Sequence, residues 1–221
     1  MPGVVPWSYS SLSSFETCPR RHYLTKIAKI VHEKQSAEMA EGNAVHKALE
    51  LAVAGSKPLE AKYHKYQPIV SRIRGANGTK LTERKFGLTA AFQPTTFFAK
   101  DVWFRGVIDL NILRKKSAVT LDYKTGKVKE DHDQLRLFAA TTFAENPHLS
   151  KITTGYLWLA YDKTTTQEFT PEDVPLIWQD FVPRVRRMEL AEQKNEWPPK
   201  PSGLCRKWCP VGRQNCEFCG E

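Results

Sequence analysis

Two aspartates, each closing an apolar run, are the residues in this 221-residue chain with the clearest capacity for chemistry. Gly106-Val107-Ile108-Asp109 and Val119-Thr120-Leu121-Asp122-Tyr123-Lys124 both read as strands whose burial carries a carboxylate to the rim of a sheet. Side chains alternate along a strand, so Asp122 and Lys124 project to one side and Tyr123 to the other, which fixes a carboxylate beside an ammonium. Two aspartates converging from adjacent strands repel unless a divalent cation lies between them, and hard Mg2+ or Mn2+ takes such oxygen ligands. That cation polarises a phosphate and acidifies water, while a nearby lysine orients the water or stabilises developing charge, so the pattern points to phosphodiester hydrolysis. Each piece has a plainer reading when taken alone. Asp-x-Lys also describes a strand end with a surface salt bridge, and His46, in Gly42-Asn43-Ala44-Val45-His46, also describes a hydrogen-bonded core imidazole.

The elements that must hold these groups follow from periodicity. Apolar residues at helical spacing from Ala37 to Val53 predict the helix that carries His46. Upstream, Ser8 to Ile30 reads as helical with Ser8 or Ser10 as N-cap and a second segment starting at Pro19. A further helix is expected from Pro58 to Arg74, closed by Gly75-Ala76-Asn77-Gly78. Strands are expected at Lys80–Leu88, Val102–Leu113 and Ala118–Tyr123, then a helix at Asp131–Ala144 and strands at Ile152–Ala160 and Thr164–Phe169. Pro171 to Glu196 reads as a long amphipathic helix that Pro175 and Pro183 delay or kink. The expected organisation is one domain, with an N-terminal helical segment (8–36), a core with the long helix (37–195) and a cysteine-rich tail (196–221).

A formal charge of +9 favours a polyanionic partner, nucleic acid before an anionic membrane, because lysine and arginine displace counterions from phosphates. No apolar run is long enough to suggest a membrane helix and Met1 to Tyr9 lacks a signal-peptide pattern, so a soluble cytoplasmic protein is expected. Five cysteines, an odd number, suit a reducing compartment. Cys205, Cys209, Cys216 and Cys219 crowd into fifteen residues, which points to a bound metal, as in a zinc knuckle of these four, with reduced free thiols as the plainer alternative.

Gly-x-x-x-His on a helix, Gly-x-x-Asp, Asp122-Tyr123-Lys124-Thr125-Gly126 and a glutamine-bearing helix together resemble the RecB-like branch of the PD-(D/E)XK nuclease superfamily. The resemblance runs from about Ser10 to Phe138, with a further likeness in the tail. It implies an α/β, restriction-endonuclease-like core (αβββαβ, a mixed sheet flanked by helices). It makes His46, Asp109 and Asp122 ligands of Mg2+ or Mn2+ with the backbone carbonyl of Tyr123, and Lys124 the catalytic lysine. Glu83 resembles a glutamate often found on the first strand, though a solvated strand charge looks the same. Gln134 corresponds to the glutamine of a Gln-x-x-x-Tyr DNA-positioning helix in which Phe138 replaces the tyrosine, and Arg20 and Arg21, after Cys18-Pro19, resemble phosphate-gripping arginines. Cys18 with three tail cysteines resembles an iron-sulfur ([4Fe-4S]) clasp. The activity implied is an exonuclease acting on DNA ends in recombination, repair or replication, in the cytoplasm (the host cytoplasm if phage-encoded), with a recombination or replication protein as partner. A CRISPR-associated nuclease and an inactive DNA-binding module are the alternatives. No Gly-x-x-x-x-Gly-Lys-Ser/Thr loop is present, so any ATP-driven unwinding would have to come from a partner.

Overall fold

The structure, a computed structural model, describes residues 6–33, 36–128 and 131–220. Met1 to Val5, part of the stretch read for a leader, lie outside them. Contacts divide the chain into two compact units, one of Met1–Pro6 with Ser36–Trp178 and one of Trp7–Gln35 with Gln179–Glu221.

The second unit opens with helix α1 (Tyr9–Thr17), capped by Ser8, whose hydroxyl accepts the Ser11 N–H. Cys18 is extended, as the residue before a proline is disposed to be, and α2 (Pro19–His22) restarts there before a π-helical turn, Tyr23–Ile27. Tyr23 stacks on Trp197 at 5.2 Å, and the buried His22 meets Phe15 edge-on. Burial, with the Lys26 charge behind it, pulls the His22 imidazole down to about 4.

In the first unit, α3 (Ala37–Val53) occupies the expected span. The helix expected from Pro58 is shorter: a 3-10 turn, Ala61–Tyr66, gives way to α4 (Gln67–Gly75). Pro68 explains the break, since it has no N–H to bond back into a preceding turn and is tolerated only in the first turn of a new helix. Strands β1 (Thr79–Leu88), β2 (Pro94–Thr95), β3 (Phe104–Leu113) and β4 (Ser117–Lys124) follow, then α5 (Asp133–Glu145), β5 (Lys151–Trp158) and β6 (Lys163–Phe169). They form one six-stranded sheet in the order β2-β1-β3-β4-β5-β6, with β4 and β5 parallel and the other pairs antiparallel. The expected mixed α/β sheet is present, with the two-residue β2 as an addition. Helix α6 (Asp173–Lys194) takes Pro175 in its first turn and continues through Pro183.

Alternation along β5 shows how the sheet is covered. Leu157 joins the apolar cluster of α3 and α4 with Leu110, Ile112 and Tyr123, while Tyr156 and Trp158 pack with Leu135 of α5. Asp122 and Lys124 therefore face α5, and Tyr123 faces α3.

Gly106, the glycine of Gly-x-x-Asp, lies opposite Phe86, and a Cβ there would fall 2.6 Å from the Phe86 ring. That ring cannot yield, because Phe104 and Phe138 pack against it. Gly106→Ala should therefore destabilise the protein by about 1–3 kcal/mol, read as a lowered Tm in calorimetry, with Phe86→Leu in the same chain recovering part of the loss. An unchanged Tm for Gly106→Ala would contradict this packing.

Candidate active site

The site begins where a hydrogen-bond ladder stops. β3 and β4 pair from Leu113 and Ala118 as far as Leu110 and Leu121. The next residues outward are Asp109 and Asp122. At that break the Tyr123 N–H, which would otherwise continue the ladder, donates to Asp109 Oδ2 at 2.7 Å. An extended residue points its N–H and C=O to the same side, so the Tyr123 carbonyl also turns toward β3, whereas the Lys124 carbonyl faces the other way and accepts the Leu159 N–H.

α3 brings His46 to this break. Gly42, one turn before it, has Thr125 Oγ1 only 3.2 Å from where a Cβ would stand, so glycine permits the helix to approach the end of β4. His46 Nδ1 lies 3.3 Å from Asp109 Oδ2, and its ring sits edge-on to Tyr123 at 5.7 Å. Glu83 arrives from β1. It faces Asp109 between the pairs Thr82–Leu110 and Arg84–Ile108, yet its φ is +47, in the left-handed region. A non-glycine residue there stores backbone strain inside a strand and re-aims its side chain, the kind of departure that clusters at functional positions. Next to it, Arg84 is tied to Glu145 at the end of α5 by an ion pair. Ligand atoms of His46, Glu83 and Asp109 all lie within 4.8 Å of one another, the one such group among the described residues.

Asp122 is outside that group and is held from the other side. Gln134 of α5 donates from Nε2 to Asp122 Oδ1 at 2.8 Å, and its Oε1 accepts from Lys124 Nζ at 3.1 Å. Lys124 Nζ also stands 2.7 Å from Asp122 Oδ2 and 5.0 Å from the centroid of the Tyr156 ring. Tyr156 is the register partner of Asp122 on β5. The sequence does not single it out, because alternation along β5 gives only its face and the β4–β5 register is what puts it beside Lys124.

Burial and mutual repulsion shape the electrostatics of these carboxylates. Burial, then repulsion from Asp109, raises the Asp122 carboxyl to about 6 against the pull of Lys124. Burial, then Asp109 and Glu50, raises Glu83. Burial lowers the His46 imidazole, but the hydrogen bond and charge of Asp109, with Asp122 and Glu83 behind, outweigh it and leave the ring above its ordinary value. One imidazole and two carboxylates around a common point, with a third carboxylate and a backbone carbonyl at the same break, are a donor set that fits Mn2+ or Mg2+.

The other residues singled out in the sequence lie elsewhere. Arg20 donates to the carbonyls of Trp197 and Asn215, and Arg21 pairs with Glu33 at 2.6 Å, so both arginines are engaged internally. Phe138 is buried against Phe86, where a hydroxyl would have no evident use. Cys18, Cys205, Cys209, Cys216 and Cys219 are all unbridged and line one cavity of the second unit. The Lys200 N–H points to Cys18 Sγ at 3.4 Å and the Ser202 N–H to Cys205 Sγ at 3.3 Å. No three of these sulfurs gather as tightly as the His46 group does.

Two outcomes follow. Glu83→Gln should weaken Mn2+ binding by at least about tenfold in titration calorimetry, and unchanged affinity would exclude Glu83 as a ligand. Because the Asp122 carboxyl is raised above its unfolded value, the stability it contributes is full below pH 3.8 and is lost as pH rises through about 6. In EDTA, wild-type stability should therefore fall more steeply over that window than that of Asp122→Asn. Parallel curves would contradict the assignment.

Comparisons with known proteins bear on the fold and the family. A candidate exonuclease from Eubacterium rectale superposes with a TM-score of 0.58 at 12% identity, over 94% of this chain and 88% of that one. SSO0001 aligns with a TM-score of 0.49 at 16% identity, over 93% of this chain and 83% of that one. No curated protein sequence matches at a significant level. The PD-(D/E)XK nuclease superfamily model matches residues 6–217, spanning the break in the sheet and every residue gathered around it. The chain belongs to the PD-(D/E)XK nuclease superfamily.

Proposed function

We propose that this nuclease is a Mg2+- or Mn2+-dependent exonuclease that hydrolyses phosphodiester bonds at DNA ends, in recombination, repair or replication. The observation that carries the metal site is the convergence of His46, Glu83 and Asp109 within 4.8 Å, beside the Asp122–Lys124–Gln134 network. Glu83 thereby joins His46, Asp109, Asp122 and the Tyr123 carbonyl as a ligand. A cation held by these residues would supply Lewis-acid polarisation of a phosphoryl oxygen and a more acidic water. The chain's own groups do the rest. Lys124, held by Asp122, Gln134 and the Tyr156 face, keeps a fixed positive charge beside the position where negative charge develops on the phosphorus oxygens. Gln134 orients the lysine and the aspartate together, which is a positioning role. Ends rather than internal sites are favoured by the likeness to the E. rectale candidate exonuclease. The superfamily match crosses both compact units, which supports reading them as one nuclease domain.

For the tail we read Cys18 with three of Cys205, Cys209, Cys216 and Cys219 as ligands of a structural iron-sulfur cluster. The shared cavity supports this, as do the two backbone N–H groups aimed at sulfurs, which stabilise thiolates. Anaerobically purified protein should carry iron and a visible absorption band. Zinc without iron would assign the tail to a zinc knuckle, and neither metal would leave free thiols.

End-labelled linear and closed circular DNA with Mn2+ test the activity. Linear DNA should be degraded and circles spared, and Asp122→Ala or Lys124→Ala should lower the rate by about 10²–10³-fold or more with the fold intact. Cutting of circles would make the protein an endonuclease, and normal turnover in either variant would remove the mechanism.

A further inference from the structure

The connection from β2 to β3 carries an aromatic pair that the catalytic reading does not use. Phe97 and Phe98 meet edge-to-face with centroids 4.8 Å apart. Phe98 is 76% exposed, more than any other large apolar side chain among the described residues. A single exposed phenylalanine is ordinary. What sets this pair apart is the charge drawn around it. Lys85 Nζ lies 5.7 Å from the Phe97 centroid and 5.8 Å from that of Phe98, while the Arg105 guanidinium lies 5.0 Å over Phe97. Among the described residues neither cation has a carboxylate within ion-pair reach.

Two cations around an exposed ring match the chemistry of an unpaired nucleotide. Its base offers a flat face to stack on the ring, and its flanking phosphates offer negative charge to the cations. A base inside a duplex has both faces covered by its neighbours, so it cannot use such a ring. Position agrees with chemistry. Lys85 is two residues along β1 from Glu83 and Arg105 four residues along β3 from Asp109, which by strand rise is about 7 and 13 Å from the site. A strand lying on the pair is therefore within a few nucleotides of the proposed metal ligands.

We propose that Phe98, backed by Phe97 and flanked by Lys85 and Arg105, is a stacking platform for an unpaired nucleotide. The substrate then reaches the His46–Glu83–Asp109 group as a single strand or a frayed end. The proposal rests on the nuclease reading for the direction of the strand, but binding tests it separately from cleavage. Fluorescence anisotropy in EDTA, with a labelled thymidine oligonucleotide and a blunt duplex of the same length, compares wild type with Phe98→Ala and Phe98→Trp. Phe98→Ala should weaken single-strand binding by about 5- to 150-fold. Phe98→Trp should retain it, and duplex binding should change less than about twofold. The salt dependence should persist in Phe98→Ala, because the phosphate contacts remain. Wild-type affinity of Phe98→Ala for the single strand, or an equal loss on both DNAs, would overturn the platform. Wild-type protein that binds single strands through Phe98 yet cuts no DNA with Mn2+ would uphold the platform and overturn the catalytic reading instead.

Discussion

The hydrogen bond from the Tyr123 N–H to Asp109 Oδ2 is the interaction around which the site is arranged. Had β3 and β4 continued to pair, that N–H would have gone to a backbone carbonyl and the two aspartates would have opposed each other across a closed ladder. Because the ladder ends at Leu110 and Leu121, a side-chain carboxylate occupies the opening and the Tyr123 carbonyl is turned toward the same space. His46 can then reach Asp109 from α3, Glu83 from β1 and Gln134 from α5. The pairs that stay closed, Leu110 with Leu121 on one side and the parallel β4–β5 register on the other, hold the opening at a fixed width.

Concentrating carboxylates at a half-dry sheet rim is unfavourable without a counter-charge, and the raised Glu83 and Asp122 show it. The protein answers in two ways. Lys124 and Gln134 neutralise and orient Asp122 on the α5 face, while Asp109 has the Tyr123 N–H and the His46 imidazole, and Glu83 feels the His46 and Lys47 charges only at a distance. The strained backbone at Glu83 belongs to the same arrangement: ordinary extended geometry would let its side chain follow the alternation of β1, and the left-handed φ departs from it opposite Asp109. Strain and repulsion at one point are features that a bound divalent cation would relieve together.

Much of this was legible in the sequence because it follows from period. Two apolar runs ending in Asp109 and Asp122 gave adjacent strands, and an alternation of two put Lys124 beside Asp122. Ala37 to Val53 gave the helix of His46, and the glycines at 42 and 106 were visible as motif positions, though their reasons, contact with Thr125 and with the Phe86 ring, were not. What stayed illegible depends on departures from period. Nothing in Thr82-Glu83-Arg84 announces a left-handed residue, so Glu83 read equally as the first-strand glutamate of the family and as a solvated charge. The ladder break is not written in the alternation of either strand, and Tyr156 enters only through β4–β5 register. Arg20 and Arg21 read as phosphate-gripping arginines, and their partners within the chain, Trp197, Asn215 and Glu33, are not encoded by local spacing. The short β2 is likewise below what alternation can reveal.

The most direct test of a divalent cation at the end of the β3–β4 ladder is anomalous diffraction from crystals grown with Mn2+. A peak bonded to the His46 imidazole and to carboxylate oxygens of Glu83 and Asp109 is the expected result. Manganese absent from that point at saturating concentration, or bound only elsewhere on the chain, would contradict it.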